Sequence, residues 1–194
     1  MADHHRLPRQ GRRQSEKGDG VILAGTMPAL RCCAGAALLA GLAITPSRAV
    51  EMPDAVAAPD AAPALTLHAE GAQVYACTAG TDGKLAWTFR EPIATLILDG
   101  KTVGRHSAGP IWEYADGSVV RGKVVGNAPA ATANDIAWLK LDVVDRRGAG
   151  ILSTADIVQR INTSGGALHG PCEQAGALRS IAYSADYVFL HKNR

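Results

Sequence analysis

Residues 106–118, HSAGPIWEYADGS, place a histidine, a tryptophan and two acids within thirteen positions around a Gly-Pro bend. In a hydrolytic arrangement His106 would serve as base, and Glu113 or Asp116 would orient it or act as general acid. Each residue also has a plainer account. Asp116 belongs to an Asp-Gly pair, which suits a tight turn. His106 and Glu113 read as solvated polar residues beside that turn. Trp112 has the right surface to stack on a sugar, but tryptophan in an aromatic-poor chain is more often core. His106 and Glu113 stay as the catalytic candidates.

A second polar group, Gln159, Arg160 and Asn162, lies beside Gly165-Gly166. Arg160 would suit an anionic ligand, and the competing reading is an exposed arginine at a strand end. Trp112, Arg160 and Asn162 are the ligand-binding candidates. A nucleophile is harder to find, since there is no G-x-S-x-G elbow and no glycine-rich phosphate or dinucleotide fingerprint. His169 and Cys172 have an H-x-x-C spacing, but a four-ligand metal site usually shows two such pairs and no second one occurs. The expectation is a protein without metal or cofactor, and one that leans away from catalysis.

These side chains must be positioned by short strands. The runs AQVYAC, KLAWTFR, ATLIL, KTVGRH, IWEYA, SVVRGKVV, IAWLKLDVVD and RSIAYSADYVFL are separated by turn signals. Three Asp-Gly pairs, at 82–83, 99–100 and 116–117, tolerate the positive φ of hairpin turns. In KLAWTFR, Leu85, Trp87 and Phe89 alternate with Ala86, Thr88 and Arg90, giving one apolar face. ILSTADIVQRI, residues 151–161, fits a short helix or a strand. The pattern predicts an all-β fold: one antiparallel β-sandwich or small β-barrel of about seven to nine short strands. Aromatic residues are only 5% of the chain, so aliphatic side chains must supply most of the core.

The formal charge of +2 is unevenly placed. Residues 1–49 carry seven Lys/Arg against three Asp/Glu, and the rest carries thirteen against fifteen. The body therefore lacks the basic surface that nucleic-acid binding needs. Arg31, the apolar run CCAGAALLAGLAI and Ser47-Arg48-Ala49 read as a signal peptide over residues 27–49, cleaved near Ala49. The apolar run is shorter than the roughly 20 residues of a membrane span. Residues 1–26 read as a misassigned start, with Met27 as the alternative to Met1, or as a long n-region. Residues 50–64, rich in Ala and Pro, read as a flexible leader to a single β domain over 65–194. Export to the periplasm or medium leaves only Cys77 and Cys172, and two cysteines in an oxidising compartment predict one disulfide.

The ordered pieces V-Y-x-C at 74–77, W-T-F with Glu91-Pro92, D-G-K-x-V-G-x-H at 99–106 and A-G-P-x-W-E at 108–113 carry a resemblance. D-G-S-x-V-x-G-K-V at 116–124, W-L-x-L at 138–141, Q-R-I-N-T-S-G-G at 159–166 and Cys172 complete it. Over residues 65–191 the chain resembles a family of exported bacterial and fungal proteins known as a domain of unknown function. Ser107 and Ile111 depart from the pattern of that family. Some fungal members carry a malate dehydrogenase label, but the sequence has no glycine-rich nicotinamide-binding turn to support it. The resemblance implies no catalytic residues. The expected function is binding of a small molecule, glycan or envelope component. The rivals are a small hydrolase using His106 with Glu113, and a structural envelope protein.

Overall fold

The computed structural model describes residues 51–193. The expected signal peptide, its cleavage near Ala49 and the choice of start at Met1 or Met27 lie outside the described residues. Eight strands follow in order: β1 (Ala61–Ala79), β2 (Leu85–Leu98), β3 (Lys101–Ser107), β4 (Ile111–Tyr114), β5 (Val119–Ala128), β6 (Trp138–Arg147), β7 (Ile157–Gly165) and β8 (Leu178–Lys192). Each pairs antiparallel with the next, and β8 returns to β1, so the sheet closes into an up-and-down barrel. Of the two expected architectures the chain adopts the barrel, in which every strand has a neighbour on both sides.

Local chemistry explains the turns. Asp99 and Gly100 both have positive φ, 49° and 71°, as a two-residue hairpin between β2 and β3 requires. KLAWTFR and ATLIL fuse into the single strand β2 across Pro92. Proline is tolerated there because β3 pairs only with residues 94–98, leaving the upper edge of β2 without a β3 partner. The loop between β7 and β8 covers part of that edge, with the Trp87 amide donating to the Gly170 carbonyl and the Cys172 amide to the Leu85 carbonyl. In residues 151–161 only Ile151–Thr154 coil, as one 3-10 turn, and the remainder starts β7. Val158 and Arg160 then point one way and Ile157 and Gln159 the other, the period of a strand.

The barrel interior is packed asymmetrically. Toward the 3-10 turn, Leu67, Leu96, Val120, Leu152, Val158 and Phe189 form an apolar core. Leu152 closes that end, and Asp116 holds it by accepting hydrogen bonds from the Ser118 amide and hydroxyl and from the Ile151 amide. The other end carries the polar and aromatic side chains described below.

The expected flexible leader over 50–64 needs correction. Residues 61–64 already belong to β1, and Val56 is fully buried against Ala128 and Trp138 on the outer face of the sheet. Gln159 donates its amide to the Val56 carbonyl and Lys140 its ammonium to the Ala57 carbonyl. The segment is a strap fixed by tertiary contacts, which the Ala/Pro-rich composition alone does not reveal. No helix among the described residues is long and apolar enough to cross a membrane.

Candidate functional site

The short β3–β4 hairpin decides the fate of the opening motif. Arg105 lies opposite Glu113, and His106 opposite Trp112. Neighbouring residues on a strand face opposite sides of the sheet, so one pair points out and the other in. Glu113 lies outside, ion-paired with Arg105, while His106 is buried in the barrel. The expected His106–Glu113 pair is therefore overturned: the wall of the barrel stands between them. Asp116 is a turn and tether residue, its carboxyl held below its ordinary range first by the Ser118 hydroxyl and then by the Ile151 amide.

Inside, His106 stacks on Trp112 with centroids 4.6 Å apart and planes inclined by 12°. Tyr187 lies on a further side, 4.9 Å from His106 and 5.3 Å from Trp112 by centroid. Gly122 makes room for the indole, because a Cβ there would stand 3.1 Å from Trp112 Cζ3. His106 Nδ1 lies 2.9 Å from the Ile111 carbonyl oxygen. A carbonyl only accepts, so Nδ1 carries the proton and Nε2 keeps its lone pair. Burial lowers the imidazole pKa from 6.5 to about 4, the Ile111 hydrogen bond opposing this and the Arg160 charge adding to it. His106 is thus neutral at physiological pH.

Arg160, on β7, lines the same interior. Its Nε and Nη2 donate to the Ala137 carbonyl at 3.1 and 2.8 Å. No carboxylate lies within ion-pair distance of it among the described residues. Tyr187 and Tyr183 approach through their hydroxyls at 3.3 Å. Burial pushes the Tyr187 phenol well above its ordinary value, and the Arg160 charge offsets this only in part.

Two spaces border this arginine. An inner chamber of about 180 Å³ is lined by His106, Trp112, Tyr187 and Leu141 among others. A wider mouth of about 680 Å³ is lined by Gln73, Tyr75, Asp135 and His169 among others. Phe89, Leu139 and Arg160 border both. The rim is made where the β5–β6 and β7–β8 loops meet. Asp135 accepts hydrogen bonds from the Gly165 amide, the Thr132 amide and the Thr132 hydroxyl, and Tyr75 donates to the Gly166 carbonyl. The Cys77–Cys172 disulfide, expected from the sequence, ties the second of these loops to β1.

Of the ligand-binding candidates, Trp112 and Arg160 stand together at the chamber. Asn162 does not: it lies outside the barrel and donates to Asp186 at 2.9 Å. Its positive φ of 51° marks an irregularity in β7 that turns it away from the interior. His169 borders the mouth, but its H-x-x-C partner is bound in the disulfide and is no thiolate ligand. Among the described residues no three His, Cys, Asp or Glu side chains gather as a metal site. Sequence reasoning missed Gln73 and Tyr187. For Tyr187 a signal was present, because Tyr183, Ala185, Tyr187 and Phe189 alternate and so share the inward face of β8.

Two buried donors near Arg160 lack a protein partner: the indole N–H of Trp112 and the side-chain amide N–H of Gln73. Such orphans are uncommon in a settled core and are frequent where a ligand or water docks.

Fold and site together define a closed antiparallel barrel with an aromatic, arginine-bordered chamber at one end. The chain belongs to the family described as "Protein of unknown function (DUF3455)", whose profile matches residues 57–101 and 97–191. No curated protein and no solved structure matches it.

Proposed function

We propose that this protein is a binding module that takes a small molecule into the open end of its barrel, outside the cytoplasm. The observation that carries this reading is a set of groups around Arg160: its guanidinium, which has no carboxylate partner among the described residues, and the orphaned donors of Trp112 in the inner chamber and Gln73 in the mouth. A barrel of eight strands has room for one small ligand when side chains do not fill it. A chamber of about 180 Å³ suits one ring or a short chain rather than an extended glycan. The Cys77–Cys172 disulfide and the signal-like residues 27–49 support an oxidising compartment. Thermal shift against a library of small acids, neutral compounds and amines tests the reading. At least one compound should raise Tm in a saturable way, and Trp112→Phe should weaken that response. A flat response across the library would contradict it.

A further inference from the structure

Apart from the lone pair of His106 Nε2, the bonding capacity left over around the chamber is donor capacity on Arg160, Trp112 and Gln73. The guanidinium of Arg160 spends two N–H groups on the Ala137 carbonyl and has no carboxylate partner among the described residues. Trp112, on the inner side, and Gln73, on the outer side, each hold a buried donor without an acceptor. No acid lines the inner chamber. The mouth has one, Asp135, and both of its oxygens are occupied by rim hydrogen bonds. The second cation at the inner chamber, Arg90, is paired with Glu91 at 3.1 Å. Arg160 is left as a partly desolvated charge without a counterion, a situation that an incoming anion relieves.

The walls restrict what that anion is attached to. Trp112, Leu139, Leu141, Val124 and Pro92 give the inner chamber an apolar surface. An apolar cavity of about 150 Å³ is known to hold one benzene ring, and the chamber here is about 180 Å³. Building on the binding reading above, we propose that the ligand is a small organic carboxylate whose apolar body, about one ring in size, lies in the inner chamber with its anionic end on Arg160. The planar guanidinium fits a carboxylate through paired N–H donors, which an ammonium cannot reproduce.

The test is calorimetric titration of the protein with sodium benzoate and phenylacetate, with their neutral primary amides, and with inorganic phosphate. At least one carboxylate should bind on the order of tenfold or more tightly than its amide, the size expected for a charge-assisted contact. Arg160→Gln should abolish that preference while leaving amide binding in place, and Arg160→Lys should restore only part of it. A circular dichroism spectrum and Tm close to the parent's qualify each variant as folded. Amides binding as well as carboxylates would overturn the anion assignment but leave the binding reading standing. Phosphate binding as tightly as the carboxylates would overturn the apolar body. If neither series binds, the assignment fails, and the library screen then decides separately whether the binding reading survives.

Discussion

His106 and Trp112 stack inside the barrel, ring centroids 4.6 Å apart, while the residues next to each, Arg105 and Glu113, pair on its outer surface. That single register relation separates a buried aromatic site from a solvent-exposed ion pair. It also sets the pH behaviour of the fold. The unfolded chain takes up a proton on this histidine near 6.5, whereas the folded chain resists until about 4. The contribution of His106 to stability is therefore fully present above pH 6.5 and is lost as pH drops toward 4, by about 3 kcal/mol in all. Urea denaturation across that range should show the slope, and His106→Gln should flatten it. An unchanged slope in the variant would place the titrating group elsewhere.

Glu113→Gln should do little. Its partner Arg105 is 71% exposed, and surface pairs of this kind contribute about 0–1 kcal/mol. Ligand response and Tm should both stay close to the parent's, as thermal shift would show. A hydrolase built on His106 and Glu113 would instead lose its function.

The disulfide closes a loop with a sequence separation of 95 residues and fastens the rim loop to β1. Replacing Cys77 and Cys172 by serine should cost about 2–5 kcal/mol of unfolding free energy. Intact mass should rise by two hydrogens on reduction of the parent protein. No mass change would mean that the bond is absent.

The strap at residues 51–60 gives a prediction that its composition does not suggest. Val56 is completely buried, so Val56→Ala should lose about 2 kcal/mol from burial and cavity effects. Denaturant unfolding would measure it. A neutral result would mean that the strap is loosely held.

At lower pH the rim should loosen by a different route. The Asp135 carboxyl is held below its ordinary 3.8, first by the Gly165 amide and then by the Thr132 hydroxyl. A depressed acid stabilises the fold above its ordinary value, and that contribution is lost as pH falls below 3.8. The protection of the Gly165 amide against hydrogen exchange, relative to its intrinsic rate at each pH, should fall in that range, and Asp135→Ala should show the lowered protection already at neutral pH.

What was legible in the sequence was local. The Asp-Gly turns announce themselves because two adjacent residues supply the positive φ, and strand alternation such as that of Leu85, Trp87 and Phe89 is a property of a few neighbours. The Cys77–Cys172 bond followed from there being two cysteines beyond the signal-like segment. The site was less legible. Whether His106 meets Glu113 or Trp112 depends on how Gly104 to Ser107 registers against Ile111 to Tyr114, and a shift of one residue reverses every face. The chemistry of Arg160 is visible in its residue type, but its place with Trp112 in the lining of one chamber comes from barrel closure, which no short window contains. Residues 151–161 were ambiguous because their apolar spacing fits both periods, and pairing with β6 and β8 decided for the strand. Asn162 leaves the inward face for a related reason, since the irregularity in β7 lies in its pairing with β8 and not in its composition.

The most direct measurement follows the indole N–H signals of Trp87, Trp112 and Trp138 by nitrogen-correlated NMR during titration with benzoate, Trp112 being assigned from Trp112→Phe. Only Trp112 lines the inner chamber, so its signal should move to saturation while those of Trp87 and Trp138 stay nearly fixed. A titration that moves Trp87 or Trp138 and leaves Trp112 unchanged would contradict binding in the chamber.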